Sequence, residues 1–213
     1  MTSIAIIDYG MGNLRSVAKA FEHIAPKARV LVTQKATDIL HTDRVVLPGQ
    51  GAIRDCMREL RRWELIDVIT EAVQRKPFLG ICLGPQALLE SSEENGGVRC
   101  LGLLPGQVVW FGDQLRDPTT KERIKIPHMG WNQVHQTSNH PLWQGIPQDS
   151  RFYFVHSYYL QPAVTTLTAG KTFYAFDFTA ALAQDNIFAV QFHPEKSARA
   201  GLKLLTNFVE WNP

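Results

Sequence analysis

The chain has 213 residues, of which 45% are hydrophobic and 20% are charged, and its formal net charge at pH 7 is +2. This size and composition predict one globular domain over residues 1–213. So small a net charge gives no reason to expect nucleic acid or a membrane as a partner. We interpret the two basic clusters, at residues 58–62 and 121–125, as solvated surface.

The three cysteines, Cys56, Cys82 and Cys100, include no pair at C-x-x-C spacing. An odd and sparse set argues against a disulfide framework and favours a reducing compartment. Cys56 and Cys100 have no catalytic context, and we interpret both as structural. The opening MTSIAIIDYG lacks the charged region of a signal peptide, and no apolar run approaches a membrane span. The sequence therefore predicts a cytoplasmic protein.

The first half alternates apolar runs with helical patterns, which is typical of a parallel sheet covered on both faces. A helix is predicted over residues 13–22. A second, long helix is predicted between residues 53 and 73, where apolar residues recur at steps of three and four until Pro77 ends the pattern. The predicted strands are residues 4–7, 30–32, 45–47 and 78–81.

The second half is rich in β-branched and aromatic runs separated by Pro, Gly, Asp and Asn, which indicates further strands. A closing helix from about residue 197 is expected to have Ser197 as its N-cap. We predict an α/β fold with a mostly parallel central sheet, flanking helices and additional antiparallel strands in the second half. The strand-like runs are QVVWF, RFYFVHSYYL, TTLTA, FYAFDF and NIFAVQFH, and the buried helix face is Leu202, Leu205, Phe208 and Val209.

The segment GICLG places Cys82 between Gly80 and Gly84, after a predicted strand and before a helical pattern. A nucleophile on a sharp strand-to-helix turn needs small neighbours because its backbone is strained and close to the flanking chain. The free N–H groups of the helix start favour a thiolate, and the N–H of Leu83 can meet an oxyanion. A free cysteine is more often a buried structural residue, but this context favours a nucleophile at Cys82.

A cysteine nucleophile requires a base, and His193 has the most informative setting of the seven histidines. In FAVQFHPEKS it follows a buried-type strand and precedes a proline, which favours extended backbone. Glu195 stands two positions on, where a carboxylate can bond one imidazole nitrogen and orient the other towards sulfur. The same spacing is equally compatible with a surface turn in which both side chains contact water.

The chain contains no complete metal or nucleotide motif. Cysteines and histidines are spread singly, without paired ligand spacing, so we predict neither a metal nor another cofactor. In GMGNLR, the third glycine position of a dinucleotide fingerprint is Arg15. The segment LPGQGA lacks the Lys and Ser/Thr of a phosphate loop, and we interpret it as a loop that presents backbone N–H groups to something small.

Three segments together resemble the class I, or triad, glutamine amidotransferases: GICLGPQ, LPGQGA and HPEKS. Three others narrow the resemblance to the glutaminase subunits of imidazole glycerol phosphate synthases, in histidine biosynthesis. These are DYGMGNL, PHMGWN at residues 127–132 and FYFVHSYY at residues 152–159. The similarity extends from residue 4 to residue 208.

The resemblance implies hydrolysis of glutamine to glutamate and ammonia. Cys82 would be the nucleophile, His193 the acid and base, and Glu195 the carboxylate that orients the imidazole. The implied oxyanion donors are the N–H of Leu83 and a backbone N–H of the loop that contains Gln50 and Gly51. The implied substrate-binding residues are Gly51, Gln86, Ser157 and Tyr158.

Two positions depart from the family pattern. Proline stands at position 85, where methionine is usual; because an N–H in a first helical turn has no partner, we expect Pro85 to leave the oxyanion hole intact. Gln50 stands where valine is frequent. Its polar side chain would alter the resting state if the loop must change its backbone to complete the hole.

The resemblance also implies a partner, a (β/α)₈-barrel cyclase subunit that accepts the ammonia and acts on a ribulosyl-formimino aminoimidazole carboxamide nucleotide. No segment of this chain indicates a phosphosugar site, so a glutaminase of this size fits one half of a heterodimer. Free ammonia in neutral water becomes mostly ammonium, which is not nucleophilic, so a closed path to the cyclase is expected. The positions that match the interface are Asn13, Trp131, Asn132, Tyr153 and Lys196.

Three alternatives share these motifs or this fold. A glutaminase subunit of another synthase, such as a surface-sugar amidotransferase, would have nearly all the same segments. A stand-alone γ-glutamyl hydrolase would turn over without a partner. A non-catalytic regulatory subunit would keep the fold, but the presence of Cys82, His193 and Glu195 argues against it.

Overall fold

The computed structural model describes residues 1–213. The helices are α1 (Leu14–Ile24), α2 (Ala36–His41), α3 (Ile53–Arg62), α4 (Leu65–Arg75), α5 (Leu83–Leu88) and α6 (Ala198–Glu210). The strands are β1 (Ser3–Ile7), β2 (Arg29–Thr33), β3 (Arg44–Gly49), β4 (Phe78–Cys82), β5 (Ser91–Ser92), β6 (Val98–Arg99), β7 (Gly106–Trp110), β8 (His128–Gln133), β9 (His135–Gln136), β10 (Arg151–His156), β11 (Tyr158–Pro162), β12 (Thr168–Tyr174), β13 (Phe176–Gln184) and β14 (Ile187–Val190).

One continuous sheet organises the molecule, in the order β2-β1-β3-β4-β14-β13-β11-β7-β5-β6, with β12 pairing β13 and β9. Strands β2, β1, β3, β4 and β14 are parallel. Strands β13, β11 and β7 continue the sheet in antiparallel pairings. The predicted α/β fold, with a parallel centre and antiparallel additions, is confirmed.

Two apolar cores cover the two faces of the sheet. On one face α1 and α6 pack through Phe21 and Phe208, whose ring centroids are 6.1 Å apart. On the other face, α3, α4 and α5 pack against the alternate side chains of the same strands, such as Ala5 and Leu47. Parallel strands buried on both faces explain why their sequences read as continuous apolar runs.

The single long helix predicted between residues 53 and 73 is wrong, because the chain forms two helices. Glu64, between α3 and α4, has a left-handed φ of 55°. The buried residues of α3 end at Leu60 and those of α4 begin at Leu65. A step of five does not stay on one face of a helix with 3.6 residues per turn. The break at Glu64 brings the second apolar face back to the sheet.

The closing helix also differs from its prediction. Ser197 precedes α6, but its hydroxyl does not cap the helix. It donates a hydrogen bond of 2.6 Å to the carbonyl of His193 and accepts one of 3.0 Å from the N–H of Tyr153. Leu205 and Phe208 are buried as expected, whereas Leu202 and Val209 are only partly buried. The face centres instead on Gly201, Leu204, Leu205, Asn207 and Phe208.

The run RFYFVHSYYL, which reads as one strand, is divided between two sheets. Its first part is β10, which pairs with β8 in a separate two-stranded antiparallel ribbon. Its second part is β11, which joins the main sheet after Ser157. The run TTLTA is mostly a 3₁₀ turn, and FYAFDF is two strands joined at Ala175.

The longest helix, α6, has 13 residues, and no helix has both the length and the apolar character for crossing a membrane.

Candidate active site

A cavity of about 770 Å³ lies at the carboxyl ends of the parallel strands. This edge is where open α/β sheets bind their ligands. Its wall includes residues from seven separate parts of the chain, which only the fold brings together. They are Gly10, Met11, Gly12, Gln50, Gly51, Cys82, Leu83, Gln86, Glu94, Pro127, Val155, His156, Ser157, Tyr158 and His193.

Cys82 ends β4 and immediately precedes α5, with φ 58° and ψ −91°. A positive φ is uncommon for a residue with a side chain and marks stored backbone strain. The turn is so sharp that strand and helix share no connecting loop. The structure therefore agrees with the elbow predicted from GICLG, with the sulfur presented to the cavity.

The flanking glycines are required by close backbone approach. A Cβ on Gly84 would lie 2.2 Å from the carbonyl oxygen of Leu47 in β3. A Cβ on Gly80 would lie 3.0 Å from the Cβ of Ala189 and 3.1 Å from the nitrogen of Pro85. The absence of both side chains lets α5 start directly above the strand ends. Pro85 fits the first turn of α5, where its missing N–H has no helical partner.

His193 follows β14, the strand beside β4, and lies at the same sheet edge as Cys82. Its Nδ1 is 2.8 Å from Oε1 of Glu195. The His193 side chain is 4% exposed and that of Glu195 is 1% exposed. The pair is therefore buried, and the surface-turn interpretation is wrong.

The free nitrogen of His193, Nε2, is buried and has no hydrogen-bond partner of standard geometry. It is nevertheless near enough to the Cys82 sulfur to be affected by its charge. Burial lowers the pKa of His193, but the neighbouring Cys82 and Glu195 outweigh burial and raise it to about 10. Both neighbours therefore favour the protonated form of the imidazole.

Two buried amides support the elbow from below. Nε2 of Gln191 donates to the carbonyl of Cys82 at 3.2 Å. Nε2 of Gln86 donates to Oε1 of Gln191 at 3.1 Å. Gln191 is completely buried, and Gln86 also lines the cavity. This chain fixes the peptide that carries the sulfur, because each broken link would leave a buried polar atom unpaired.

The two elements predicted to supply an oxyanion hole face each other across the cavity floor. Leu83 is the first residue of α5, so its N–H has no carbonyl within the helix. The end of β3 packs against it, since a Cβ on Gly49 would be 2.8 Å from Cβ of Leu83, and the Gln50–Gly51 loop follows directly. Gln50 is exposed, and Gly51 has φ +96°. All three predicted donor residues, Leu83, Gln50 and Gly51, line the cavity.

The predicted substrate-binding residues Gly51, Gln86, Ser157 and Tyr158 also lie on the cavity wall. A further cavity residue, Glu94, was not predicted. Its Oε2 accepts a hydrogen bond of 2.9 Å from the N–H of Ile53. Glu94 is the only carboxylate on this wall, so it supplies a fixed negative charge to the cavity.

The other two thiols differ from Cys82. All three cysteines are free and buried, but only Cys82 lines the cavity. Burial raises the pKa of Cys56 to about 12 and that of Cys100 to about 11. Both remain protonated at neutral pH, in keeping with a structural role. No cluster of three or more His, Cys, Asp or Glu side chains is arranged to hold a metal ion.

The residues predicted at a partner interface divide into two sets. Trp131 and Tyr153 are cross-strand neighbours in the ribbon, with ring centroids 6.2 Å apart, and Nζ of Lys196 lies 6.0 Å from the Tyr153 ring. Asn132 is directed inward instead and donates to Nε2 of His128 at 3.2 Å. Asn13 lies just before α1. The structure brings Trp131, Tyr153 and Lys196 together, but not Asn132.

Four buried polar residues near the site were missed in the sequence. The sequence contains a signal for Gln191, because a single amide within an apolar run indicates a buried polar residue. His128 and His156 lie inside PHMGWN and FYFVHSYY, but nothing in either segment predicts that they meet. Tyr9, in DYGMGNL, is fully buried, and its hydroxyl lies beneath Gly49. Burial raises its pKa well above the usual value.

Comparison with known proteins agrees with this geometry. Residues 5–211 match the family model of the class-I glutamine amidotransferases. The chain is 60% identical over 212 residues to imidazole glycerol phosphate synthase subunit HisH of Nitrosococcus oceani, which covers 100% of this chain and 99% of that protein. It is 57% identical over 213 residues to the HisH subunit of Nitrosospira multiformis, with 100% of both covered.

Solved structures show the same fold at low identity. The PurLQS structure from Thermotoga maritima matches with a TM-score of 0.73 and 16% identity, over 98% of each chain. A glutamine amidotransferase crystal structure matches with a TM-score of 0.70 and 16% identity, over 97% of each chain. These two similarities concern the architecture alone.

The chain therefore belongs to the class I glutamine amidotransferases. Within that class, it belongs to the family of the HisH subunits of imidazole glycerol phosphate synthase. The resemblance inferred from the six sequence segments is confirmed at this level.

Proposed function

We propose that residues 1–213 act as one glutaminase domain in which Cys82, His193 and Glu195 hydrolyse glutamine to glutamate and ammonia. One observation carries the proposal. A cysteine held at positive φ lines the same cavity as a histidine, and Nδ1 of that histidine is bound to a buried carboxylate behind the cavity wall. This arrangement is that of an activated nucleophile with its base and orienting group.

The first half-reaction forms a thioester. The Cys82 thiolate attacks the side-chain amide carbon of glutamine, and a C–S bond forms as the carbonyl oxygen becomes an oxyanion. The N–H of Leu83 and an N–H of the Gln50–Gly51 loop would stabilise that charge, each worth about 3 kcal/mol of barrier. His193 then donates its Nε2 proton to the amide nitrogen, the C–N bond breaks and ammonia leaves.

The second half-reaction releases glutamate. His193, now neutral, takes a proton from water as the water oxygen attacks the thioester carbon. The C–S bond breaks and the electron pair returns to Cys82 as a thiolate. The product carboxyl group loses its remaining proton to solvent. Glu195 keeps its hydrogen bond to Nδ1 and orients His193 throughout, so the site ends as it began.

The cavity wall supports an assignment for the amino-acid end of glutamine. The α-ammonium group requires an anionic partner, and Glu94 is the carboxylate on the wall. Its bond to the N–H of Ile53 leaves Oε1 available to the substrate. Gly51, Gln86, Ser157 and Tyr158 would hold the rest of the molecule. We expect this charge pairing to select free glutamine over amides without an α-amino group.

A cyclase subunit is the proposed recipient of the ammonia. The two relatives are subunits of imidazole glycerol phosphate synthase, and their full-length similarity supports the same assembly here. Trp131 and Lys196 are exposed and Tyr153 is half-buried, and the cluster that they form is continuous with the turn that carries Glu195. We assign it to the cyclase interface. Ammonia would then pass to the cyclase for synthesis of imidazole glycerol phosphate and an aminoimidazole carboxamide ribonucleotide in histidine biosynthesis.

The nucleophile can be tested by covalent trapping. A chloroketone analogue of glutamine should add one adduct per chain, located on Cys82 by peptide mass spectrometry, because only this thiol lines the cavity. Cys82→Ser should remain unlabelled, while Cys56→Ser and Cys100→Ser should label at the wild-type rate. Labelling that persists in Cys82→Ser, or fails in the wild type, would refute the proposed chemistry.

A further inference from the structure

Two buried histidines outside the proposed triad are joined in one hydrogen-bonded chain. His128 and His156 are 3% and 7% exposed. They are direct cross-strand neighbours in the ribbon of β8 and β10. Nδ1 of His128 lies 2.9 Å from Nε2 of His156. The proposed chemistry uses neither ring, so their burial requires another explanation.

The partners at the two ends of the chain fix where each proton lies. The carbonyl of Tyr158 can only accept, so Nδ1 of His156 donates to it over 2.7 Å. Nε2 of a neutral His156 then accepts from Nδ1–H of His128. Nε2 of His128 in turn accepts from the Asn132 amide at 3.2 Å, and that amide also donates to the carbonyl of Phe173 at 2.9 Å.

The surroundings hold both rings neutral. Burial lowers the pKa of His128 to about 4 and that of His156 to about 3. The rings of Phe154 and Tyr174 stack on His128, with centroids at 4.8 and 4.0 Å. A neutral imidazole has one donor and one acceptor nitrogen. The direction of the chain therefore cannot reverse unless a ring changes its tautomer or gains a proton.

The chain connects an exposed surface with the cavity. At its outer end, Asn132 belongs to β8, where Met129 and Trp131 are 61% and 44% exposed. At its inner end, Tyr158 lines the cavity. Strand β10 also contacts the triad segment, because the carbonyl of Tyr153 accepts a hydrogen bond of 2.9 Å from the N–H of His193.

We propose that Asn132, His128 and His156 are positioning residues that couple the exposed ribbon to the glutamine-binding wall at Tyr158. The inference rests on the proposed function, since it assigns Tyr158 to glutamine binding. A displacement of the ribbon must move the inner end, because each broken link would leave a buried donor or acceptor unpaired. Contact of a partner with the ribbon would thus change how the cavity holds glutamine.

The test replaces the hydrogen-bond donor at the outer end of the chain with an acceptor, in a side chain of the same shape. In Asn132→Asp, an oxygen that can only accept faces Nε2 of His128, so the proton of that ring should move from Nδ1 to Nε2. Its bond to His156 is then lost. Long-range ¹H–¹⁵N spectra of the imidazoles should show Nδ1–H for both rings in the wild type and Nε2–H for His128 in the variant. The KM for glutamine, measured with the cyclase present, should rise about tenfold with little change in kcat.

Two further variants separate this effect from simple damage. Asn132→Ala removes the donor but imposes no opposing acceptor, so His128 should keep its Nδ1 proton and KM should rise, but by less than in Asn132→Asp. Gln133→Glu adds the same charge at the next, exposed position and should behave as the wild type.

The outcomes distinguish the coupling through the hydrogen-bonded chain from the proposed function. A wild-type His128 protonated at Nε2, or equal KM values for Asn132→Asp and Asn132→Ala, would overturn the coupling alone. A wild type that hydrolyses no glutamine in any state would overturn the proposed function as well. If the Asn132→Asp chain does not fold, the wild-type tautomers and Asn132→Ala decide, and a wild-type KM in Asn132→Ala would overturn the coupling.

Discussion

Glu94 is the residue to which we assign the selectivity of the cavity for an α-ammonium group. It is the only carboxylate on the cavity wall. A carboxylate held by a backbone N–H at 2.9 Å is already oriented before the substrate arrives. Such preorganisation lowers the cost of binding.

Replacing Glu94 with glutamine tests the pairing with the α-ammonium group. The amide oxygen can still accept from Ile53, so the fold is retained while the charge is lost. A charge-assisted hydrogen bond is worth about 1.5–3 kcal/mol, so KM for glutamine should rise roughly 10- to 100-fold. We expect kcat to change less than threefold, because the charge lies away from the reacting carbon.

Glu93 provides the matched control for this substitution. It is the adjacent carboxylate and accepts a comparable hydrogen bond of 2.9 Å from the N–H of Trp110, but it does not line the cavity. Glu93→Gln should leave KM within twofold of the wild type. Equal effects of the two substitutions would contradict a specific role for Glu94.

The short helix α5 and the strand end that precedes it act as one unit. Gly84 lies in α5, where alanine would normally favour a helix by about 1 kcal/mol. Here the added Cβ would lie 2.2 Å from a backbone oxygen of β3, in the centre of the sheet. Neither backbone can move away without disturbing the core, so the clash outweighs the helix preference.

The expected result for Gly84→Ala is a loss of about 2–3 kcal/mol in the free energy of unfolding, as for other overpacked cores. Equilibrium urea denaturation measures it. A Cβ at Gly80 has no contact closer than 3.0 Å, to Ala189, with the backbone of Pro85 at 3.1 Å, so Gly80→Ala should cost less. A Gly84→Ala chain as stable as the wild type would show that α5 is not fixed by this contact.

At the scale of elements, the sequence predicted what depends on local pattern. Apolar runs predicted the parallel strands, and the glycines around Cys82 predicted the elbow. Both patterns involve only residues that are neighbours in the sequence. The division of residues 53–73 was missed, although the five-residue step from Leu60 to Leu65 contains the signal. The ribbon was missed because nothing local separates β10 from β11 at Ser157.

At the scale of the whole molecule, the cavity could be predicted only in part. The Cys82, His193 and Glu195 positions follow from motifs, whereas Glu94 and the histidine pair depend on register between distant strands. His128 meets His156 because β8 and β10 pair in one register, and a shift by one residue would place the two side chains on opposite faces. Single-sequence patterns do not contain that register.

The ribbon also links the two proposed roles of the molecule. Its exposed face carries Trp131 and Tyr153 beside Lys196, and its inner edge continues into the cavity wall at Ser157 and Tyr158. A partner that binds this face is therefore positioned to affect catalysis. This predicts a glutaminase whose rate depends on the assembled state.

Glutamate release from glutamine tests that claim most directly. It would be measured for the chain alone, with the cyclase subunit, and with the cyclase and its nucleotide substrate. We predict low activity alone, a large increase in the full assembly, loss of activity in Cys82→Ser, and a smaller increase in Lys196→Ala with an unchanged fold. Full activity without a partner, or an increase unaffected by Lys196→Ala, would contradict the account.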